Sequence, residues 1–143
     1  ILFNHESPLR CNEFVTAKIC QGLANFKRTR EKIKLGNINS FRDMGYAPEY
    51  VDAMVKLVNY APIDIVIATG KTISIGDFLL EACEVADVSP KDFYTIEEGE
   101  KRPLDVQWLR GNPLQAKSLL KWTAKKDYKA IAKEMVESAL VDV

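Results

Sequence analysis

The chain reads as an α/β domain. Short apolar runs at 1–3, 33–35, 64–69 and 93–96 alternate with longer stretches whose apolar residues recur every three to four positions. Gly36, Pro48, Pro62, Gly70 and Pro113 punctuate the boundaries between them. At 143 residues and 47% hydrophobic, the chain is long enough to bury a core without a disulfide or a structural metal.

Ile1-Leu2-Phe3 fits a buried strand that opens at its carboxyl end into the polar run Asn4-His5-Glu6-Ser7-Pro8. Over 12–27, Val15, Ile19, Gly22, Leu23 and Phe26 keep helical spacing, and Asn12 stands where an N-cap belongs. The alternation of Ile33 and Leu35 before Gly36-Asn37 predicts a short strand ending in a turn, and Ser40 to Tyr46 reads as loop. From Pro48, whose missing N–H costs nothing in a first turn, Val51, Met54, Val55 and Val58 repeat on one face of a second helix. Asp64 to Thr69 is β-branched and predicts a strand. Ser74 to Asp77 is a capping box, after which Phe78, Leu79, Ala82, Cys83 and Ala86 share a face, placing Cys83 in the core. Ser89-Pro90-Lys91-Asp92 repeats the cap signature ahead of a short strand over 93–96. Helices over 113–120 and 127–143 follow, the second with Tyr128, Ile131, Ala132, Met135, Val136, Ala139, Leu140 and Val143 on one stripe. No repeat or Pro/Gly/Ser linker divides the chain, so one compact unit is expected.

Twenty basic residues balance twenty acidic ones, so no whole-chain field draws the domain to nucleic acid or an acidic membrane. Cys11, Cys20 and Cys83 form no C-x-x-C pair, which predicts reduced thiols in a cytoplasmic setting, and with one histidine no zinc site is expected. No apolar run reaches membrane-spanning length and the start lacks a signal-peptide pattern, so a soluble protein is expected. The chain begins at Ile1 without an initiator methionine, which reads as a sequence cut from something longer.

Three nucleotide motifs fail. Gly70-Lys71-Thr72 follows an apolar run, yet Ile65 stands where a P-loop needs its first glycine. Glycines at 22, 36, 45, 70, 76, 99 and 111 never fall two apart, so the dinucleotide fingerprint is missing. No tyrosine is followed four residues later by lysine, the pair that lowers a phenol pKa for proton transfer. His5 has no nucleophile motif to serve. It lies just beyond a predicted strand's carboxyl end, where open α/β sheets bind ligands, and this favours a cofactor contact.

The run Asn4-His5-Glu6-Ser7-Pro8, with Phe14-Val15-Thr16, Lys18-Ile19, Leu35-Gly36-Asn37, Arg42-Asp43, Gly45 and Tyr50-Val51, resembles the GDP-mannose 4,6-dehydratases of the extended short-chain dehydrogenase/reductase superfamily. Val66 to Gly70, Arg102-Pro103, Asp105-Val106, Gly111-Asn112-Pro113, Ala116-Lys117, Leu120 and Trp122 continue the pattern. The N-H-E-S-P run separates this dehydratase from its epimerase and reductase relatives better than the shared R-D and R-P elements do. The resemblance implies one late strand of a Rossmann-like fold plus a small mixed α/β substrate-binding domain. Residues 1–143 would be the carboxyl-terminal, sugar-nucleotide-binding portion, the dinucleotide-binding half with its catalytic groups being absent. It implies that His5 and Arg10 contact NADP, that Asn4, Val15, Lys18, Leu35, Gly36, Arg42 and Arg102 line the GDP-mannose pocket, and that Asp105 meets the ribose.

Those residue types suit that chemistry. A pyrophosphate carries about two negative charges, which the planar fork of Arg42 or Arg102 can pair in fixed orientation. Lys18 adds charge without fixing geometry, Gly36 in a turn lets backbone N–H groups come close, and Asn4 both donates and accepts. The spacing alone also allows Arg42 and Arg102 to be surface partners of Asp43 and Asp105. The chain departs from the family at Leu9 and Cys11, where arginine and glycine are usual, at Ala17 in place of arginine, and at Met44 in place of tryptophan.

The parent activity expected is therefore an NADP-dependent lyase acting on GDP-mannose, with no catalytic or metal-ligating residue in this chain and no turnover by it alone. A stand-alone sugar-nucleotide-binding or regulatory module is the alternative, and a purely structural remnant a third reading. An unpaired apolar edge at Ile1-Leu2-Phe3 predicts a homo-oligomer or aggregate.

Overall fold

The computed structural model describes residues 1–60, 62–97 and 106–141. In chain order the elements are β1 (Asn4–Glu6), α1 (Val15–Thr29), β2 (Ile33–Leu35), β3 (Phe41–Arg42), β4 (Met44–Tyr46), α2 (Ala47–Val58), β5 (Ile73–Ser74), α3 (Ile75–Val85), α4 (Pro90–Phe93), β6 (Tyr94–Ile96), β7 (Trp108–Leu109), α5 (Leu114–Leu120) and α6 (Tyr128–Val141). The α/β class expected from the alternation of segments is what forms.

Two hydrophobic clusters organise these elements. The first gathers the buried faces of α1, α3 and α6: Ile19, Leu23 and Phe26 meet Phe78, Leu79 and Cys83, with Ile131, Met135 and Val136 completing the layer. The second, smaller cluster joins Tyr50 and Ala53 of α2 to Ile65, Ile67, Ala116, Leu120 and Trp122. Between β4 and α6 the chain crosses from one cluster to the other four times, at 44–50, 67–75, 93–116 and 122–131.

Helices α3 and α6 follow their sequence signals closely. The Ser74 capping box is present in both directions, Asp77 N–H donating to Ser74 Oγ at 2.9 Å and Ser74 N–H to Asp77 Oδ2 at 2.8 Å. Cys83 is fully buried, and burial pushes its thiol up to about 11. The stripe on α6 is buried at Ile131, Ala132, Met135, Val136 and Ala139. Lys27 and Arg28 stand in the last turn of α1, where positive charge opposes the helix dipole, and Arg30 closes that helix at φ 64°, its N–H donating to Phe26 C=O.

Four expectations need correction. Helix α1 starts at Val15 with Phe14 as N-cap and no side-chain cap; residues 11–14 first turn the chain, Phe14 N–H donating to Cys11 C=O at 3.1 Å, which removes Asn12 from the cap position. The ladder strand at the start is polar Asn4–Glu6, while residues 1–3 and 64–69 form no ladder and are joined by the parallel bridge Leu2↔Ile67 and by the Ile1 amine donating to Ile65 C=O at 2.7 Å. The supposed loop over 40–46 is two strands: β3 between β5 and β7, and β4 parallel to β1 with Asn4 opposite Met44. A strand this short is defined by its partners rather than by its own propensity. The fourth correction is in α2, whose Val51, Met54, Val55 and Val58 face outward at 53%, 38%, 57% and 82% exposure, while Tyr50 and Ala53 turn inward.

Candidate functional site

The site grows from the carboxyl end of β1, where polar residues enter a ladder beside the two clusters. Glu6 is 2% exposed. Burying its carboxylate requires partners, and Thr16 in the first turn of α1 donates its hydroxyl to Oε2 at 2.5 Å, while Arg10 Nε lies 3.4 Å from the same oxygen. The Arg10 guanidinium also sits over the Phe14 ring, 3.6 Å from its centroid. Thus β1, the 7–14 turn and α1 are tied at one carboxylate. Cys20 lies on the buried side of that helix, and burial, with Glu6 nearby, pushes its thiol up to about 12.

Burial pushes the Glu6 carboxyl above its ordinary value of 4.5, with Thr16 and Arg10 offsetting part of the effect. The folded state therefore keeps the proton to higher pH than the unfolded chain. The resulting stability is complete below about 4.5 and is lost as pH rises through the raised pKa. Urea unfolding at successive pH values above 4.5 is expected to record this fall. In Glu6→Gln, which does not titrate, the profile should flatten; parallel profiles for the two proteins would remove Glu6 as its source.

A second buried carboxylate, Asp43, joins β3 to β4 at 0% exposure. Its Oδ1 accepts from Thr69 N–H at 2.8 Å and Thr69 Oγ1 at 2.6 Å; its Oδ2 accepts from Gly70 N–H at 2.9 Å and Gly111 N–H at 3.1 Å. These partners consume both oxygens, so Asp43 is no surface partner of Arg42. Beside it, Tyr50 is fully buried, its ring edge-on to Trp122 and 5.1 Å from the His5 ring between centroids. Burial, reinforced by Asp43, Glu49 and Glu6, raises the Tyr50 phenol strongly, and its hydroxyl has no hydrogen-bond partner among the described residues. Gly45 is required here because a Cβ would strike the Tyr50 ring.

The last crossing is held by Glu49, whose carboxylate accepts from Lys125 N–H and Lys126 N–H at 3.0 and 3.2 Å. Lys126 then pairs with Glu134 and stands 3.7 Å over the Tyr46 ring, while the Tyr46 hydroxyl donates to Glu134 Oε1 at 2.5 Å. The Lys126 ammonium and that hydroxyl hold the Glu134 carboxyl below its ordinary value.

The residues expected at a ligand site fall in several places around this frame. Asn4 and His5 lie half-buried on β1. His5 Nδ1 is 2.8 Å from Phe3 C=O, which leaves Nε2 on the other side of the ring. Register places Asn4 opposite Met44, two residues from Arg42. Val15 and Lys18 occupy the first turn of α1, the valine against the core and the lysine exposed. Arg42 is half-buried, its Nη1 donating to Phe41 C=O at 2.8 Å and Val106 C=O at 2.6 Å. The Leu35 side chain is only 2% exposed and belongs to the first cluster, and its C=O accepts from Glu97 N–H at 2.8 Å. Gly36 is exposed, and a Cβ there would meet nothing within 4 Å. Arg102 and Asp105 lie outside the described residues.

A separate cavity of about 510 Å³ opens at the other end of α1, lined by Phe26, Lys27, Arg30, Asp87, Val88, Ser89 and Asp92; it holds none of these residues. Among the described residues no three His, Cys, Asp or Glu side chains gather as metal ligands, and no helix is long and apolar enough to cross a membrane. Sequence reading passed over the tying roles of Glu6, Asp43 and Glu49. For Asp43 the available signal was an acid directly after Arg42, in a chain with glycines at 70 and 111 each following an apolar segment.

The family model for GDP-mannose 4,6 dehydratase matches residues 1–135. A GDP-mannose 4,6 dehydratase of Dictyostelium discoideum is 40% identical, covering 95% of this chain and 44% of its own length. GDP-mannose 4,6 dehydratase 1 of Arabidopsis thaliana is 38% identical over 98% of the chain and 39% of its own length, and the Homo sapiens enzyme 34% identical over 96% and 42%. The chain thus spans about two fifths of the length of these curated relatives. Among solved structures, RMD from Pseudomonas aeruginosa complexed with NADPH superposes with a TM-score of 0.88 at 18% identity, covering 99% of the chain and 48% of that protein. A UDP-glucose 4-epimerase from Thermotoga maritima with UDP-glucose gives 0.81 at 18% identity over 96% and 43%. These solved chains share the fold, and with the family model matched over residues 1–135 the chain belongs to the GDP-mannose 4,6 dehydratase family.

Proposed function

We propose that this chain is the sugar-nucleotide-binding portion of an NADP-dependent GDP-mannose 4,6-dehydratase, a lyase that forms GDP-4-keto-6-deoxymannose. The observation that carries the reading is Arg42, half-buried on β3, two residues from Met44, which stands opposite Asn4 of β1. Arg42 and Arg102 pair the pyrophosphate, with Lys18 adding charge from α1. Asn4, Val15, Leu35 and Gly36 line the pocket, and Asp105 meets the ribose.

The donor set at the end of β1 fits a nicotinamide cofactor. His5 is anchored through Nδ1 with Nε2 available, and Arg10 is cationic and held by Glu6 and Phe14. NADP when bound supplies the hydride acceptor and donor for oxidation at C4 and reduction at C6. His5 and Arg10 bind and orient it, and no residue of this chain is assigned as acid or base. Turnover by residues 1–143 alone is not expected.

Calorimetry with GDP-mannose tests the reading. Arg42→Ala removes a charge-assisted bond of about 1.5–3 kcal/mol, which weakens binding by at least about tenfold. Equal heats for the two proteins would sink the assignment. Reduced thiols at Cys20 and Cys83, both buried, support a cytoplasmic setting. Self-association is proposed through the outward apolar face of α2, where Val51, Val55 and Val58 are more than half exposed. In sedimentation Val55→Glu is expected to shift oligomer to monomer, and a monodisperse wild-type monomer counts against it.

A further inference from the structure

Asp43 ties together segments that lie far apart in the chain. The chain crosses between its two hydrophobic clusters four times. Asp43 stands immediately before the first crossing, Thr69 and Gly70 lie in the second, and Gly111 lies in the third. One buried carboxylate accepts from all of them, through three backbone N–H groups and one hydroxyl. Its own N–H donates to Leu109 C=O at 3.0 Å, adding a further bond to the segment that carries Gly111.

The same residue sits next to Arg42. Successive side chains of an extended segment point to opposite sides, so Asp43 reaching inward leaves Arg42 on the other side, where it donates to Phe41 C=O and Val106 C=O. Gly70, at φ +80°, and Gly111, with no room for a Cβ beside Ala68, bring their N–H groups close enough to reach one oxygen. We propose that Asp43 is a positioning residue: it clasps three of the four crossings and thereby fixes where the Arg42 guanidinium stands.

The ligand arm of the test rests on the reading that Arg42 meets GDP-mannose, and the resonance arm does not. In Asp43→Asn an NH2 replaces one acceptor oxygen and faces N–H donors. On ¹⁵N-labelled chain, Asp43→Asn is expected to speed amide exchange at Thr69, Gly70 and Gly111 at least tenfold and to move the Arg42 Nε–H resonance, while Leu79 and Val136 amides in the first cluster keep their rates. Thr69→Val, which removes one hydroxyl donor, is expected to move the Arg42 resonance less and in the same direction. An unmoved Arg42 resonance in Asp43→Asn overturns the proposal. Should that variant not fold, an unmoved resonance in Thr69→Val does so instead.

In calorimetry, Asp43→Asn is expected to weaken GDP-mannose at least tenfold, with no further loss when combined with Arg42→Ala. Independent, multiplying losses overturn the positioning role. If wild-type chain does not bind GDP-mannose, the functional reading fails while the resonance arm still decides the role of Asp43.

Discussion

Phe78→Ala is expected to lower the free energy of unfolding by about 3–5 kcal/mol. Phe78 is fully buried on α3, within the cluster that α1, α3 and α6 share. Removing the ring loses its transfer free energy and leaves a hole lined by residues of three helices that pack on one another. Those helices are also held at their ends, α3 by the Ser74 capping box and α1 by the Thr16 to Glu6 bond, so the gap cannot close by sliding one helix inward. Urea denaturation measures the loss. Leu80, on the same helix but 54% exposed, is the control, and its truncation should change stability by no more than about 0.5 kcal/mol. A Phe78→Ala loss below about 1 kcal/mol would mean that the three-helix cluster is not where stability resides.

Gly111→Ala should have the next largest effect. A Cβ at 111 would run into the Ala68 Cβ and come within 3.1 Å of the Phe3 ring. Ala68 has no rotamer with which to yield, so the backbone must move, at a cost of about 1–3 kcal/mol. That movement draws the Gly111 N–H away from Asp43, and losing a hydrogen bond to a charged group costs about 1.5–3 kcal/mol more. Thermal unfolding should reveal both. Gly36→Ala, by contrast, places its Cβ in open space and should leave the melting temperature unchanged. At Gly22 the nearest atom is Ile33 Cγ2, 2.7 Å from a Cβ and carried on a β-branch with little freedom to turn aside, so substitution there should also lower the melting temperature. A melting temperature for Gly111→Ala equal to that of Gly36→Ala would contradict the packing described around residue 111.

The two glycines illustrate what a linear reading can and cannot reach. Gly36 stood out because it ends an alternating strand, and Gly111 because it sits in a family motif; only the neighbours Ala68 and Phe3 reveal which one packing requires. The functional residues divide in the same way. Asn4, His5, Arg10, Lys18 and Arg42, the residues proposed to meet ligand, were named from the resemblance and from residue type, whereas the buried carboxylates of Glu6 and Asp43 were not.

The long helices, the Ser74 capping box and the family are readable from the order of residues alone. Helical periodicity and capping depend on residues within a turn or two of each other, and a motif is read in order along the chain. The pairing of polar Asn4–Glu6 with Met44–Tyr46, the inward face of α2 and the bonds gathered at Asp43 emerge only once the chain is folded. A strand of two or three residues takes its identity from a partner, and a helix with apolar residues on two sides takes its orientation from what it packs against. Asp43 reaches donors 26, 27 and 68 residues away. No local pattern encodes such a contact, because folding alone brings its members together.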